Sequence, residues 1–312
     1  MDSRNIITGI FNNIEQIIVG KREVIEYTVT TLLAGGHLLL EDVPGVGKTT
    51  LAKALAQTID CGFTRIQFTP DTLPSDVTGL SIYNMKTGQF EYSKGAILNN
   101  IILADEINRT SPKTQASLLE AMEERQVTVD GVTYPLPRPF MVIATQNPVD
   151  FLGTYNLPEA QLDRFMIKIS IGYPSMADEQ MMADRFINKK LTKRLEPVAD
   201  KDTVIKMQEE VADIKVNRDL ISFVTRFVQE TRKDGNISLG ASPRASLALI
   251  RAAQARAYIK GRTYCIPDDI LDLIVPVIAH RIILSPEARL AKTNTEKVLK
   301  DILLRIPIPV LS

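Results

Sequence analysis

The chain has 312 residues, enough for two domains with separate cores, and its 45% apolar and 24% charged content is that of an ordinary globular protein. Thirty-seven Lys and Arg balance thirty-seven Asp and Glu, so a strongly basic nucleic-acid binder is not expected. Cys61 and Cys265, the two cysteines, have no metal-ligand spacing and imply no disulfide framework, which fits a reducing cytoplasm.

In chain order, short apolar runs alternate with helical patterns over the first two-thirds, the sign of a mostly parallel sheet covered by helices. Helices are predicted over 6–19, 24–34, 48–58 and 113–124, and strands over 37–40, 63–68, 100–105, 140–145 and 166–171. Ser111 suits the N-cap of the fourth helix and Pro112 its first position. Two stretches interrupt the alternation. One, over 80–91, turns at Met85-Lys86-Thr87-Gly88-Gln89. The other, over 126–138, carries Asp130-Gly131 between alternating residues, a strong hairpin signal. Both read as hairpin insertions on an α/β core. Gly172-Tyr173-Pro174-Ser175 then punctuates the chain, and helical periodicity with no clear strand runs to about Leu304. The expected division is an α/β domain at 1–174 and a helical domain at 175–312. His37 and His280 are isolated and read as packing residues. No apolar run approaches the roughly 20 residues of a membrane span, and Met1 to Asn5 lack the apolar stretch of a signal peptide.

The sharpest chemical signal is Asp42-Val43-Pro44-Gly45-Val46-Gly47-Lys48-Thr49. It follows the apolar run Leu38-Leu39-Leu40 and precedes a helical pattern, the strand, loop and helix context of a phosphate-binding loop. Gly45 and Gly47 let backbone N–H groups turn inward around phosphate oxygens, and the helix N-terminus adds a positive dipole. Lys48 is the residue to reach the β- and γ-phosphates of ATP, and the Thr49 hydroxyl the one to bind Mg²⁺. Pro44, Val46 and Thr50 complete the expected nucleotide contacts of the loop. Asp42 stands where the general pattern has Gly, and its carboxylate must point away from the phosphates.

Asn100-Ile101-Ile102-Leu103-Ala104-Asp105-Glu106 is an apolar run ending in two carboxylates. In a parallel sheet the C-terminal strand ends face the ligand crevice. Asp105 would hold Mg²⁺ through water, and Glu106 would polarise the attacking water. Asn147 ends a third apolar strand. It reads either as the amide that orients that water or as a turn residue before Pro148. Arg164, just before the fifth strand, is either a solvated charge or an arginine finger for a neighbour's γ-phosphate. Arg244 falls in the first turn of a helix opened by Ser242-Pro243, where the dipole disfavours a cation. It either contacts the γ-phosphate from the helical domain or pairs with a nearby carboxylate.

With these pieces placed, the sequence resembles the MoxR family of AAA+ ATPases over nearly its whole length. The resemblance is carried by 41–49, by Gln67-Phe68-Thr69-Pro70-Asp71 and by Ala104-Asp105-Glu106-Ile107-Asn108-Arg109. It is carried further by 119–128 and 157–165. It implies an AAA+ P-loop domain with a five-stranded parallel sheet and hairpin inserts, followed by a smaller all-helical lid domain. It makes Lys48 and Thr49 the Walker A residues, Asp105 and Glu106 Walker B, and Asn147 the sensor 1 residue. Arg164 becomes the arginine finger and Arg244 the sensor 2 arginine of the lid. Val19 and Gly20 match the adenine-side contact, and the hairpins match inserts that face a ring's pore or its partner. The family implies hexameric rings acting as chaperones on partners with von Willebrand A domains. One departure is Val149-Asp150-Phe151-Leu152, less acidic than the segment often found there.

The function expected is Mg²⁺-dependent ATP hydrolysis in a homo-oligomeric ring that remodels or matures a protein partner. Arg244 is expected to report γ-phosphate loss by releasing its domain. A DNA-directed motor on the same fold is disfavoured by the neutral charge. A nucleotide-gated binding module with little turnover is disfavoured because every catalytic position is filled. A guanine-reading Asp is missing after Asn188-Lys189-Lys190.

Overall fold

A computed structural model describes residues 3–147, 155–188 and 195–309. The variable segment 149–152 and the run 189–191 lie outside the described residues. The chain opens with α1 (Ser3–Glu15), α2 (Arg22–Leu33), β1 (Leu38–Glu41), α3 (Lys48–Thr58) and β2 (Phe63–Gln67). Next come α4 (Pro74–Thr78), β3 (Gly79–Asn84), β4 (Gln89–Lys94), β5 (Ile101–Asp105) and α5 (Pro112–Glu124). Then follow β6 (Gln126–Val129), β7 (Val132–Pro135), β8 (Met141–Gln146), α6 (Glu159–Leu162) and β9 (Ile167–Ile169). The helical part contains α7 (Met176–Ile187), α8 (Lys201–Ala212), α9 (Arg218–Thr231), β10 (Ile237–Leu239) and α10 (Pro243–Ile259). It ends with α11 (Pro267–Leu271), α12 (Ile274–Ile278), β11 (Ile283–Leu284), α13 (Pro286–Leu290) and α14 (Thr295–Leu303).

Among the described residues, five strands form the central sheet in the order β2-β5-β8-β1-β9, with every pair parallel. Its inner strands β5, β8 and β1 are mostly apolar runs because both faces are covered, whereas the outer strands β2 and β9 carry Arg65 and Lys168. Leu38, Leu40, Ile101, Leu103, Met141 and Ile143 point to the face carrying α1, α2 and α3. The alternating Leu39, Ile102, Ala104, Val142 and Ala144 point to the other, where Leu118, Leu119 and Met122 of α5 meet them. The first cluster continues without a break into the helical part through Val204, Phe223, Phe227, Leu249, Val277 and Leu299. One core therefore joins the sheet to the lid helices.

A buried polar joint adds to that core. Arg281, with its side chain 2% exposed, donates from Nε to Asp163 Oδ1 at 2.6 Å and from its terminal nitrogens to the carbonyls of Asp163, Phe165 and Met166. His280 Nε2 donates to the Phe165 carbonyl at 2.9 Å, and Ser242 Oγ donates to Asp163 Oδ2 at 2.9 Å. A buried guanidinium is tolerated only with such pairing. The segment just before β9 is thus fixed to the lid.

Both hairpins form as antiparallel pairs, β3 with β4 and β6 with β7. Asp130 and Gly131 both take positive φ, as the tight turn requires. Tyr92 and Tyr134 stack across the two hairpins at 4.0 Å. Two details differ from expectation. α1 ends at Glu15 rather than Val19, because the N–H groups of Ile17 and Ile18 both return to the Ile14 carbonyl and turn the chain. The helical part also holds a small ribbon, β10 against β11. These strands have three and two residues, too few for an alternating pattern to register.

His37, at the start of β1, is buried. Its Nδ1 accepts the Val142 N–H at 3.0 Å, so Nε2 carries the proton and donates to the Met122 carbonyl at 3.2 Å. Burial lowers its pKa from 6.5 to about 4. The unfolded chain takes up this proton below about pH 6.5 while the folded one does not until about pH 4, so the stability tied to His37 is complete above 6.5 and declines as pH falls toward 4, by up to about 1.4 kcal/mol per pH unit. Urea midpoints measured from pH 7 to 4 should fall, and a His37→Gln protein should show a shallower fall. Equal slopes would mean that His37 titrates as freely in the folded state as in the unfolded one.

Candidate active site

β1 ends at Glu41, the chain crosses 42–47, and α3 starts at Lys48. Gly45 and Gly47 have φ of 88° and 96°, a region that L side chains rarely adopt. A Cβ built on either meets nothing within 4 Å among the described residues, so the loop is an open cradle that side chains there would fill. Gly47 is the N-cap of α3, and among the described residues no side chain caps it. The first amides of α3 therefore face the cradle with the helix dipole behind them, an arrangement suited to phosphate. Lys48 Nζ donates to the Asp42 carbonyl at 2.7 Å. Partial burial lowers the Lys48 pKa, opposed by the nearby carboxylates of Asp42, Asp105 and Glu106.

The Asp42 side chain points the other way. Its carboxylate accepts Ser170 Oγ at 2.7 Å, the Gly172 N–H at 3.1 Å and the Ile171 N–H. It thus ties the P-loop to the end of β9. The acid that looked out of place in the sequence is a structural brace.

Beside the cradle is a cleft of about 200 Å³ whose walls include Val19, Val46, Gly47, Thr50, Ile171 and Met182. Val19 and Gly20 were expected on the adenine side; Val19 borders this cleft, and Gly20 has φ 69°, where a Cβ would strike the Asp178 carboxylate at 2.3 Å. Gly20 lets α7 pack close, since Asp178 belongs to the capping box at the start of α7.

The ends of β5 and β8 lie next to that of β1. Thr145 Oγ donates to Asp105 Oδ1 at 2.7 Å and accepts the Glu106 N–H at 2.8 Å. Arg65 donates twice to Asp105 Oδ2, at 3.0 and 2.7 Å. A carboxylate has about four acceptor positions, so these described partners leave one for a metal-bound water. Glu106 has φ 57°, a strained conformation for a side chain of this kind. Gln67 Nε2 at 2.9 Å and Arg109 at 3.1 Å hold its carboxylate. Asn147 follows β8 and is buried, and Asn108 Nδ2 donates to its carbonyl at 3.4 Å. Among the described residues no group of three or more His, Cys, Asp or Glu is arranged around a metal. Thr49, expected to bind Mg²⁺, lies in the first turn of α3, and Asp105, expected to hold it through water, ends β5.

Arg164 and Arg244 lie elsewhere. Both bond one carboxylate, Glu123 near the end of α5: Arg164 through Nε at 2.9 Å and Arg244 through a terminal nitrogen at 2.5 Å. They share a cavity with Gly36 and His37, which precede β1, and Met166, which precedes β9. This is the N-terminal end of the sheet. The glycine loop leaves from the C-terminal end, and β1 alone spans roughly 13 Å. The expectation that Arg244 folds over its own chain's γ-phosphate is therefore corrected: the helices of the lid pack along α2 and β9, and Arg244 is held at the opposite end of the strands, where it pairs with Glu123 beside the Arg281–Asp163 joint.

Sequence reasoning assigned no chemistry to Arg65, Gln67, Arg109, Thr145 or Glu123. Gln67, Arg109 and Glu123 stood inside runs shared with the resembled family, which was a signal. The Glu123 contact joins residues 41 and 121 positions apart and has no local pattern.

A five-stranded parallel sheet, a glycine loop at its C-terminal edge, an Asp-Glu pair beside it and a helical second part define an ATPase of the AAA+ class. Residues 37–167 match the model of the ATPase family associated with various cellular activities, and residues 229–302 match the AAA lid domain. The chain is 51% identical over 298 residues to the uncharacterised protein YeaC of Bacillus subtilis, covering 96% of this chain and 93% of that one. It is 40% identical over 306 residues to chaperone MoxR1 of Mycobacterium tuberculosis, covering 95% and 80%. A crystal structure from Cytophaga hutchinsonii, assigned as an ATPase, superposes with a TM-score of 0.92 at 39% identity, over 98% of this chain and 96% of that one. The chain belongs to the MoxR family of AAA+ ATPases.

Replacing Asp42 by Ala would strand the buried N–H of Ile171, at about 1–3 kcal/mol, and release the partly buried N–H of Gly172 to water. Asp42→Ala should lower the urea midpoint by a corresponding amount and weaken nucleotide binding as the loop loosens. An unchanged midpoint would show that the brace contributes nothing to folding.

Proposed function

We propose that this ATPase hydrolyses Mg²⁺-bound ATP at a site shared by two copies in a homo-oligomeric ring, hexameric in the family's manner. The observation that carries this is the position of Arg164 and Arg244, paired at the end of the sheet away from their own glycine loop. Two cations presented together at a surface suit a neighbour's triphosphate. Arg244 then acts with Arg164 in trans.

In this reading the amides of 45–49 and Lys48 bind the phosphates, and Val19 borders the base. Mg²⁺, held by Thr49 and through water by Asp105, would neutralise charge on the β- and γ-phosphate oxygens. Glu106, once it leaves Gln67 and Arg109, takes a proton from water held by Asn147. The water oxygen bonds to the γ-phosphorus as the bond to the ADP oxygen breaks. The neighbour's Arg164 and Arg244 stabilise the charge on the transferring group.

The output is remodelling of a protein partner. A relative at 40% identity is named a chaperone, and the family resemblance points to partners with von Willebrand A domains. The β3–β4 hairpin offers a contact surface, with Met85 90% and Phe90 73% exposed beside Ile82 and Tyr83. Among the described residues no helix is long and apolar enough to cross a membrane, and a cytoplasmic setting suits the two free thiols.

Turnover per protomer should climb with protein concentration as rings form. Arg164→Ala should lower it by about a hundredfold or more, and Glu106→Gln should bind ATP and stall. Mixing these two inactive proteins should restore part of the activity, because some sites then join an intact Glu106 to an intact Arg164. Phosphate release that is independent of concentration, with no rescue in mixed rings verified by mass spectrometry, would remove the shared site.

A further inference from the structure

We infer that Glu123 is a positioning residue of the shared site: it gathers Arg164 and Arg244 into one cationic unit for the neighbour's triphosphate. This rests on the trans reading above. Glu123 sits in the last turn of α5, where the helix dipole disfavours an acid, and Arg244 sits in the first turn of α10, where it disfavours a cation. Each placement is locally unfavourable, and each is offset by the other. The three side chains come from three places in the fold: the end of α5, the segment before β9, and the lid. Glu123 Oε2 takes Arg164 and Oε1 takes Arg244, so each oxygen holds one guanidinium and each guanidinium keeps further N–H donors to present.

The neighbouring joint makes the arrangement directional. Asp163, adjacent to Arg164, is held by Arg281 and Ser242, which fixes the backbone from which Arg164 projects. What remains is the side chain, which Glu123 orders with help from a longer bond to the Ala160 carbonyl at 3.4 Å. Without the carboxylate, two long cations side by side repel and spread over many rotamers. With it, the ordering is complete before a phosphate arrives, which is how positioning groups raise a rate. The hydrogen bond from Arg244 and the charge of both arginines hold the Glu123 carboxyl below its ordinary range, so it stays ionised through neutral pH. The glycine loop of the same chain, at the other end of the sheet, is untouched.

The experiment uses the full-length protein with Glu123→Gln. Binding of a fluorescent ATP analogue should match the unmodified protein. Turnover by the assembled particle should fall about tenfold while KM for ATP stays within about twofold. Glu123→Gln mixed with Glu106→Gln should recover activity, because sites that join the first protein's loop to the second protein's arginines are complete. Adding Glu123→Gln to a protein carrying both Arg164→Ala and Arg244→Ala should cost little more than those two changes alone, since the carboxylate acts through the two arginines. Full activity of Glu123→Gln, loss of its own ATP binding, or failure of rescue while Arg164→Ala is rescued would overturn the role of Glu123 and leave the shared site standing. Failure of both mixtures would overturn the shared site and Glu123 with it.

Discussion

The direction of the parallel sheet is the constraint on which the rest of the molecule depends. Every strand of the central sheet runs the same way, so each of its two edges has a fixed character. Backbone amides, the Lys48 ammonium and the Asp105-Glu106 carboxylates collect where β1, β5 and β8 end. The residues entering β1 and β9 collect at the other edge, and the lid docks there through Arg281 and His280. An arginine placed just before β9 is thereby committed to the edge opposite its own glycine loop. In the proposed reading a chain built this way carries two half-sites facing apart, and repetition around a ring would bring them together.

Buried polar groups at both edges are paired one by one. Thr145 uses its single hydroxyl twice, donating to Asp105 and accepting from the Glu106 amide, and so holds the two carboxylate residues in register across β5 and β8. Asp42 does similar work between β1 and β9. These contacts make the crevice rigid where phosphate and metal must be met at fixed distances. Glu106 is the exception: its backbone is strained and its carboxylate rests on Gln67 and Arg109. In the proposed mechanism a base held in that way would have to change partners to reach water, which would leave a place for nucleotide or neighbour to control the chemistry.

The strands were legible because a sheet buried on both faces writes itself as runs such as Leu38-Leu39-Leu40 and Ile101-Ile102-Leu103. The helix from Lys48 to Thr58 and both hairpins were legible from local patterns of glycine and alternation. The end of α1 was not, since Ile17, Ile18 and Val19 keep an apolar pattern while the backbone turns to place Val19 beside the cleft. Nor was the ribbon of β10 and β11, whose partners lie 44 to 47 residues apart. At the site, motif spacing found the residues whose roles depend on local backbone. It could not tell which part of the sheet the lid covers, so it left Arg244 open between a γ-phosphate and a nearby carboxylate, and the carboxylate it bonds here is Glu123. Gly20 also has a role the sequence did not show: its freedom serves the approach of Asp178, a partner 158 positions away that no local pattern reveals.

The single core shared by sheet and lid bears on how a nucleotide signal would move. Phe223, Phe227 and Leu249 of the lid belong to the same apolar cluster as Leu38 and Met141 of the sheet, and a charged joint reinforces it. Opening that contact would expose both the cluster and the Arg281 guanidinium, a large cost for a step repeated in every cycle. A lid that swings away from its own sheet is therefore the less favourable mode. A lid that moves with its sheet as one body, drawn by Arg164 and Arg244 toward or away from the next copy's phosphates, disturbs only the surface between copies. Loss of the γ-phosphate would then read out as a change in the angle between neighbours. The exposed β3–β4 hairpin, carried on that body, would move with it.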